Sequence, residues 1–382
     1  MKKEIRIAFT GGGSGGHVYP LLAVAEETIH QMAAHPDTSF SLFYFGWLGI
    51  HAEEFHAAGV KIKSMVSFKV RRYFSVRNIV DLFLLPIAIV QAFWKIFWAM
   101  PDVLFSKGGT GALPVVLAAW FFRIPIFVHE SDSVPGLTNK ITYPLAKRAG
   151  VAFAATQTIW DDEKTALVGN PIRPFLLESD EYLNKAKAKK ILGFDSSLPL
   201  LLVLGGSLGS QRVNDFLLDN VTDLVSRYQI FHVTGTNNFE SFKTELAVAT
   251  KNFIPAERAR YKIASYLKKE IKDALFAADV IISRAGSGAI FEIALSHTPS
   301  IVIPLKESAG DHQRRNAYEY ARNGACVVIE ENNLTNTIFF TQLNAILSDQ
   351  NRYNTMGQAA GDFAKPDSAK HIAQELIHIA QQ

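Results

Sequence analysis

A short apolar run that ends in a glycine-rich turn and passes into a helical stretch occurs twice in this chain. That repeat limits what the chain can fold into. Ile5–Thr10 runs into Gly11-Gly12-Gly13-Ser14-Gly15-Gly16, and about 195 residues later Leu200–Leu204 runs into Gly205-Gly206-Ser207-Leu208-Gly209. A continuous apolar run is the pattern of a parallel strand buried on both faces. The glycines after it place backbone N–H groups at a helix N-terminus, which suits phosphate. Similar runs follow each opening: Phe40–Phe45, Val103–Phe105, Ile126–His129 and Gly150–Phe153, then Ile230–Thr234, Val280–Ser283, Ser300–Ile303 and Cys326–Ile329. Helix-length segments separate them, so the fold class is α/β with parallel sheets. Two openings predict two Rossmann-like domains in tandem. The join is expected near Gly169-Asn170-Pro171-Ile172-Arg173-Pro174, where two prolines and a glycine interrupt the periodicity. The expected domains are 1–168 and 169–362.

Composition agrees with this division. The 382 residues suffice for two domains at roughly 100–200 residues each. With 48% hydrophobic and 20% charged residues, a large core can be buried. The single cysteine, Cys326, excludes a disulfide framework and a Cys-based zinc site. It falls in a candidate buried strand and reads as core. Basic residues number 39 and acidic residues 36, a net charge of +3. That is too balanced for a chain whose main task is neutralising nucleic-acid phosphates. The N-terminal apolar run is broken by Arg6, is too short for a signal-peptide core and has no cleavage pattern after it, so a cytoplasmic chain is expected.

The charge is unevenly spread. Within 61–123 nine basic residues (Lys61, Lys63, Lys69, Arg71, Arg72, Arg77, Lys95, Lys107, Arg123) face two acidic ones, Asp81 and Asp102, a local surplus of +7. Inside that stretch, residues 79–100 have the length of a membrane span, about 20 residues. Asp81, Pro86 and Lys95 argue against a span. The plainest reading is a crossover helix packed on the sheet. The second is an interfacial helix touching lipid, because Phe83, Phe93, Trp94, Phe97 and Trp98 follow the basic run.

Several residues stand where chemistry can sit. Gly11, Gly13 and Gly16 fit GxGxxG, a weak signal alone. A dinucleotide site needs an acidic residue at the end of the second strand, and nothing acidic appears there before Glu53. No P-loop motif is present. His17 opens the helix after the glycines. It reads either as a loop or cap residue or as a neutral imidazole poised to act as a general base. In the second half, Arg284-Ala285-Gly286-Ser287-Gly288 follows a strand, with Glu292 one turn on. This is a tight strand–helix turn, or a place where Arg284 and loop N–H groups hold a diphosphate while Glu292 binds ribose hydroxyls. Asp311-His312-Gln313 opens a helix containing Asn316, with Asp311 either a plain N-cap or part of a ligand site. His51, Glu53, Glu54 and His56 lack metalloprotease spacing and read as a surface helix.

The motifs as a set resemble glycosyltransferase family 28, in its peptidoglycan branch. The likeness runs from Gly11–Pro20 through Ser106-Lys107-Gly108-Gly109, His129-Glu130, Gly136-Leu137-Thr138-Asn139 and Gly169–Arg173. It continues through Gly205-Gly206-Ser207, Arg284-Ala285-Gly286 with Glu292, and Asp311-His312-Gln313 with Asn316. It departs at Thr110, where many members have tyrosine, and at Ser131-Asp132, where many have Gln-Asn. The resemblance implies a GT-B fold, two Rossmann-like domains with parallel sheets facing a central cleft, the last helix (363–382) packing back on the first domain. It implies UDP-GlcNAc as donor, bound by the second domain, and lipid I as acceptor, bound by the first, at the cytoplasmic face of the cell membrane.

By the same resemblance, Arg173, Ser207 and Arg284 lie at the diphosphate, Glu292 at the ribose and Gln313 at the GlcNAc hydroxyls. Ser287, Gly288 and Ala289 line the donor site, with Ser14, Gly15, Gly16 and Asp132 also on the donor side. Leu267 and Lys268 fall at the uracil position. Gly12, Gly13, Gly108, Gly109 and Asn139 form the acceptor and diphosphate loops. The implied reaction is one inverting displacement, with His17 as base and Glu130 as runner-up. No DxD motif is evident, so no cofactor or metal is expected and a divalent cation is at most non-essential. An anionic membrane surface is the expected further partner, and nucleic acid is not. Two alternatives stand beside this reading: a non-hydrolysing UDP-GlcNAc 2-epimerase and a non-catalytic lipid-binding protein of the same fold.

Overall fold

The computed structural model describes residues 4–13, 15–34, 38–66, 77–161, 163–178, 184–206 and 209–382. Ser14, Ser207, Lys69, Arg71 and Arg72 lie outside the described residues, as does the side chain of Arg77.

The first sheet contains β1 (Ile5–Thr10), β2 (Phe40–Gly46), β3 (Lys61–Ser64), β4 (Val103–Ser106), β5 (Ile126–Glu130), β6 (Arg148–Val151) and β7 (Thr165–Leu167). Their order is β3-β2-β1-β4-β5-β6-β7, and the pairings are parallel. The second sheet contains β8 (Leu200–Leu204), β9 (Gln229–Val233), β10 (Tyr261–Ala264), β11 (Val280–Ser283), β12 (Ser300–Val302) and β13 (Cys326–Val328). Their order is β10-β9-β8-β11-β12-β13, again parallel. In each sheet the order reverses beside the strand that carries the glycine turn. A switch of this kind, between β1 and β4 and between β8 and β11, is where open α/β sheets bind ligands.

The strands expected from the sequence are present, with one shifted. Residues 150–153 read as a strand, but β6 begins at Arg148, which pairs with Phe127. Ala152 and Phe153 are buried beyond its end. Three strands carried no apolar run: β3, β7 and β10. Each is an edge strand. An edge has solvent on one side, so Lys61-Ile62-Lys63-Ser64 can hold a ladder without a continuous apolar sequence.

The chain divides into Met1–Pro174 with Lys365–Gln382, and Phe175–Ala364. The sequence reading placed the join at 168/169, ahead of the Gly-Pro segment, and the return at 363. The segment stays with the first unit because that unit holds it. Gly169 O accepts from His129 Nε2–H at 2.8 Å and from Ser368 Oγ–H at 3.1 Å, and Gly169 N donates to Val151 O at 3.1 Å. The C-terminal helix Ser368–Gln381 buries Ile372, Leu376 and Ile379 among Ile7, Phe9, Leu21 and Val24 of the first unit's core.

The Arg77–Ala99 helix is the crossover from β3 to β4. Ala88, Ala92, Ile96 and Ala99 recur at helical spacing and are buried. Ala92, Ile96 and Ala99 pack with Phe45, Leu104 and Val115. The opposite face leaves Phe83, Val90, Trp94 and Trp98 71%, 69%, 65% and 67% exposed. No helix among the described residues is long and apolar enough to cross a membrane.

Candidate functional site

In the first unit three loops meet at the carboxyl ends of β1, β4 and β5. Two glycines make this possible. Gly109 (φ +85°) lies so close to the first loop that a Cβ there would sit 2.9 Å from Gly12 Cα, and Gly108 (φ +77°) would place a Cβ 2.5 Å from Asn139 Oδ1. The Gly11–Gly13 turn, the Gly108-Gly109 pair and the Ser131–Asn139 segment therefore share one surface. His17 stands at the first turn of the Gly15–Ala33 helix. Its Nδ1 lies 3.2 Å from Lys107 O. A carbonyl only accepts, so Nδ1 carries a proton, and in the neutral ring Nε2 carries the lone pair.

Glu130 ends β5 and is buried. Its Oε1 accepts from Asp132 N at 3.0 Å, and its Oε2 accepts from Gly136 N at 2.8 Å and Asn139 Nδ2 at 2.9 Å. Burial first, and the Asp132 charge second, push the Glu130 carboxyl up from the usual carboxylate range, against those three hydrogen bonds. The carboxylate thus folds the Ser131–Asn139 loop back on β5. Asn139 Nδ2 also donates to His129 O at 3.1 Å, while its Oδ1 is buried without a partner among the described residues. Asp132 O accepts from Thr156 Oγ1 at 2.7 Å. Arg173, expected in the second domain, belongs to the first unit, its guanidinium 5.4 Å from the centre of the Tyr19 ring.

In the second unit the Gly205-Gly206 turn follows β8, and Ser210 Oγ caps the Gln211–Asp219 helix by accepting from Val213 N. Behind the turn a buried set is fully paired. His232 bonds to Tyr261 OH and Asn214 Oδ1, both at 3.0 Å, and burial pushes it down to about 3. Arg284 follows β11. Its guanidinium pairs with Glu331 and donates to Ile303 O at 3.1 Å. Glu331 Oε2 accepts from Lys306 N at 3.4 Å, and Glu331 O from Arg212 Nε at 3.1 Å. Arg284, Arg212, Lys306 and Glu331 line a cavity of about 510 Å³, as do Gly209 and Ser210. A neighbouring cavity of about 320 Å³ adds Asp311, Arg314 and Glu330.

Other expected donor residues surround the same strand ends. Ser287 starts the Ser287–Leu295 helix, its buried Oγ unpartnered among the described residues, with Gly288, Ala289 and half-buried Glu292 following. Gln313 Oε1 accepts from Leu305 N at 3.0 Å, and Asn316 Nδ2 donates to Ala285 O at 3.3 Å. Asp311 stands at the N-cap position of the His312–Arg322 helix without capping it through its side chain. It adopts a left-handed conformation (φ 59°), makes no cap bond and pairs with Arg314 at 2.6 Å, while Ser308 Oγ accepts from Gln313 N. Leu267 is buried, and Lys268 N donates to Glu270. His51 pairs with Glu54 on the surface helix. Cys326 lies in β13, where burial pushes its thiol up.

Sequence reasoning missed Glu331 and Arg212, and it quoted Lys107 and His129 without giving them a role. Glu331 lies in a polar loop 47 positions from Arg284, so no local pattern links them.

Two Rossmann-like units, each with a polar cavity or loop cluster at its sheet's switch point, define a GT-B protein. The fold matches the solved structure of MurG from Acinetobacter baumannii, with TM-score 0.72 and 23% identity over 98% of this chain and 99% of that one. It also matches a UDP-GlcNAc 2-epimerase from Neisseria meningitidis, with TM-score 0.65 and 10% identity over 98% and 100%. The chain belongs to glycosyltransferase family 28. Residues 7–151 match the family's N-terminal domain and 200–374 its C-terminal domain. A Clostridium tetani protein is 34% identical over 92% of both chains, and a Shouchella clausii protein 36% identical over 92% and 93%. Both are named UDP-N-acetylglucosamine--N-acetylmuramyl-(pentapeptide) pyrophosphoryl-undecaprenol N-acetylglucosamine transferase.

Proposed function

We propose that this glycosyltransferase moves GlcNAc from UDP-GlcNAc to the C4 hydroxyl of undecaprenyl-pyrophosphoryl-MurNAc-pentapeptide, lipid I, giving lipid II for peptidoglycan. The observation that carries this reading is the 34–36% identity, across 92% of the chain, to relatives named for that reaction. The site chemistry supports it. His17 Nε2 takes the proton of the attacking hydroxyl, the new bond forms at the anomeric carbon, and the bond to the diphosphate breaks as UDP leaves. His17 is favoured over Glu130 because the Glu130 carboxylate accepts from Asp132 N, Gly136 N and Asn139 Nδ2, bonds that hold a loop. Arg284 meets the leaving diphosphate from a position fixed by Glu331, with Ser207, Arg173, the Gly205-Gly206 turn and the helix starting at Ser287 as further donors. Glu292 binds the ribose and Gln313 the sugar. Gly12, Gly13, Gly108, Gly109 and Asn139 shape the acceptor side.

The chain works at the cytoplasmic face of the membrane as a peripheral protein. The support is the exposed aromatic face of the Arg77–Ala99 helix, continued by exposed Trp120 and Phe121, whose ring lies 5.2 Å from Phe93. A basic sequence run precedes that helix, which suits anionic lipid.

UDP-GlcNAc supplied alone separates this reading from the epimerase one. No UDP-ManNAc forms, and UDP is released at an appreciable rate only when lipid acceptor is added. UDP-ManNAc from donor alone would overturn the transferase reading.

A further inference from the structure

Lys107 follows β4 between two loops of the acceptor half, and the reaction as described gives it no task. It is 1% exposed. Its Nζ donates to His129 Nδ1 at 2.5 Å and to Asn170 Oδ1 at 2.7 Å, and His129 passes the contact on through Nε2–H to Gly169 O at 2.8 Å. Its backbone joins the other side. Lys107 N donates to Thr10 O at 3.0 Å, and Lys107 O accepts from His17 Nδ1–H at 3.2 Å. One residue therefore touches the end of β1, the His17 ring, β5 and the segment leading out of the unit.

A buried ammonium is held only by good acceptors and facing negative charge. Two acceptors are present. The facing charges are Glu130 at the end of β5 and Asp132 in the loop after it, while burial and the Lys107 charge keep His129 neutral. Burial pushes Lys107 down to about 7 and the two carboxylates oppose that fall. The Lys107 charge in turn faces Glu130, whose loop-holding bonds require it as an acceptor.

We propose that Lys107 is a positioning residue for the transfer reaction: it sets the end of β4 that orients His17, and it supplies the positive charge that faces the Glu130 anchor of the Ser131–Asn139 loop. This rests on the transferase reading above. The residue touches no substrate and acts through His17 and Glu130.

The test compares Lys107→Met, similar in length without charge, and Lys107→Gln, which keeps one amide donor without charge, with the wild-type chain. Each is assayed with UDP-GlcNAc and a short-chain lipid I analogue across pH, and donor affinity is measured by calorimetry. Expected is a kcat at least tenfold lower, donor affinity within twofold of wild type, and an acid limb of the kcat profile moved to higher pH. Losing the cation that faces Glu130 favours the protonated form of that carboxyl, which releases the loop and moves the limb in that direction. If Lys107→Met does not fold, Lys107→Gln carries the test. Variants with wild-type kcat and an unmoved acid limb overturn the proposal, as does a loss of donor affinity equal to the loss of kcat. A wild-type chain that transfers no sugar overturns the underlying reading, and this inference with it. A wild type that transfers while both variants match it overturns this inference alone.

Discussion

One hydrogen bond decides the chemistry available to His17. Because Lys107 O accepts from Nδ1, the lone pair of the neutral ring is on Nε2. Replacing His17 with alanine is expected to lower kcat by about 10²–10⁴-fold, with UDP-GlcNAc affinity little changed. Steady-state kinetics with calorimetry checks it, and an unchanged kcat removes His17 as the base. At Arg284 the deciding partner is Glu331, both side chains being about one-tenth exposed. Glu331→Ala leaves a buried guanidinium without its counter-charge and is expected to destabilise the second unit by about 3–5 kcal/mol, read as a lowered urea midpoint. Glu331→Gln is expected to lose less. The residues of the first loop cluster were legible in the sequence because each sits within a few positions of a glycine turn that ends a strand. Glu331 and the side-chain role of Lys107 were not, because their partners come from distant parts of the chain.

At the scale of elements, legibility followed burial. Of the central strands, β8 is apolar throughout and β1 and β11 are apolar except at Arg6, Thr10 and Ser283, because their faces are covered, and their bounds were read from the sequence directly. The edge strands β3, β7 and β10 left no such trace, since pairing on one side needs no continuous apolar run. The Arg77–Ala99 helix carried two signals at once: small buried residues at helical spacing and large exposed aromatics opposite them. Its aromatic face is expected to bind anionic vesicles, with binding that weakens as salt rises. Trp94→Ser with Trp98→Ser is expected to reduce sedimentation with such vesicles while leaving turnover of a short-chain soluble acceptor within twofold. Equal vesicle binding by the variant would show that lipid is met elsewhere.

Across the whole molecule, the repeated strand–glycine–helix opening anticipated two units, each with its own sheet. The join was harder to read. Gly169 and the prolines after it mark an interruption, but only the bonds from His129 and Ser368 decide which unit keeps them. The net charge of +3 likewise concealed a +7 stretch in the first unit. Two units in one chain suit a reaction with two unlike substrates, a water-soluble nucleotide sugar and a lipid-linked one. The most direct measurement is mass spectrometry of a short-chain lipid I analogue after incubation with UDP-GlcNAc and this protein. The expected product is an acceptor heavier by one N-acetylhexosamine, with one UDP released per sugar transferred. An unchanged acceptor, with or without consumption of UDP-GlcNAc, would contradict the transferase reading.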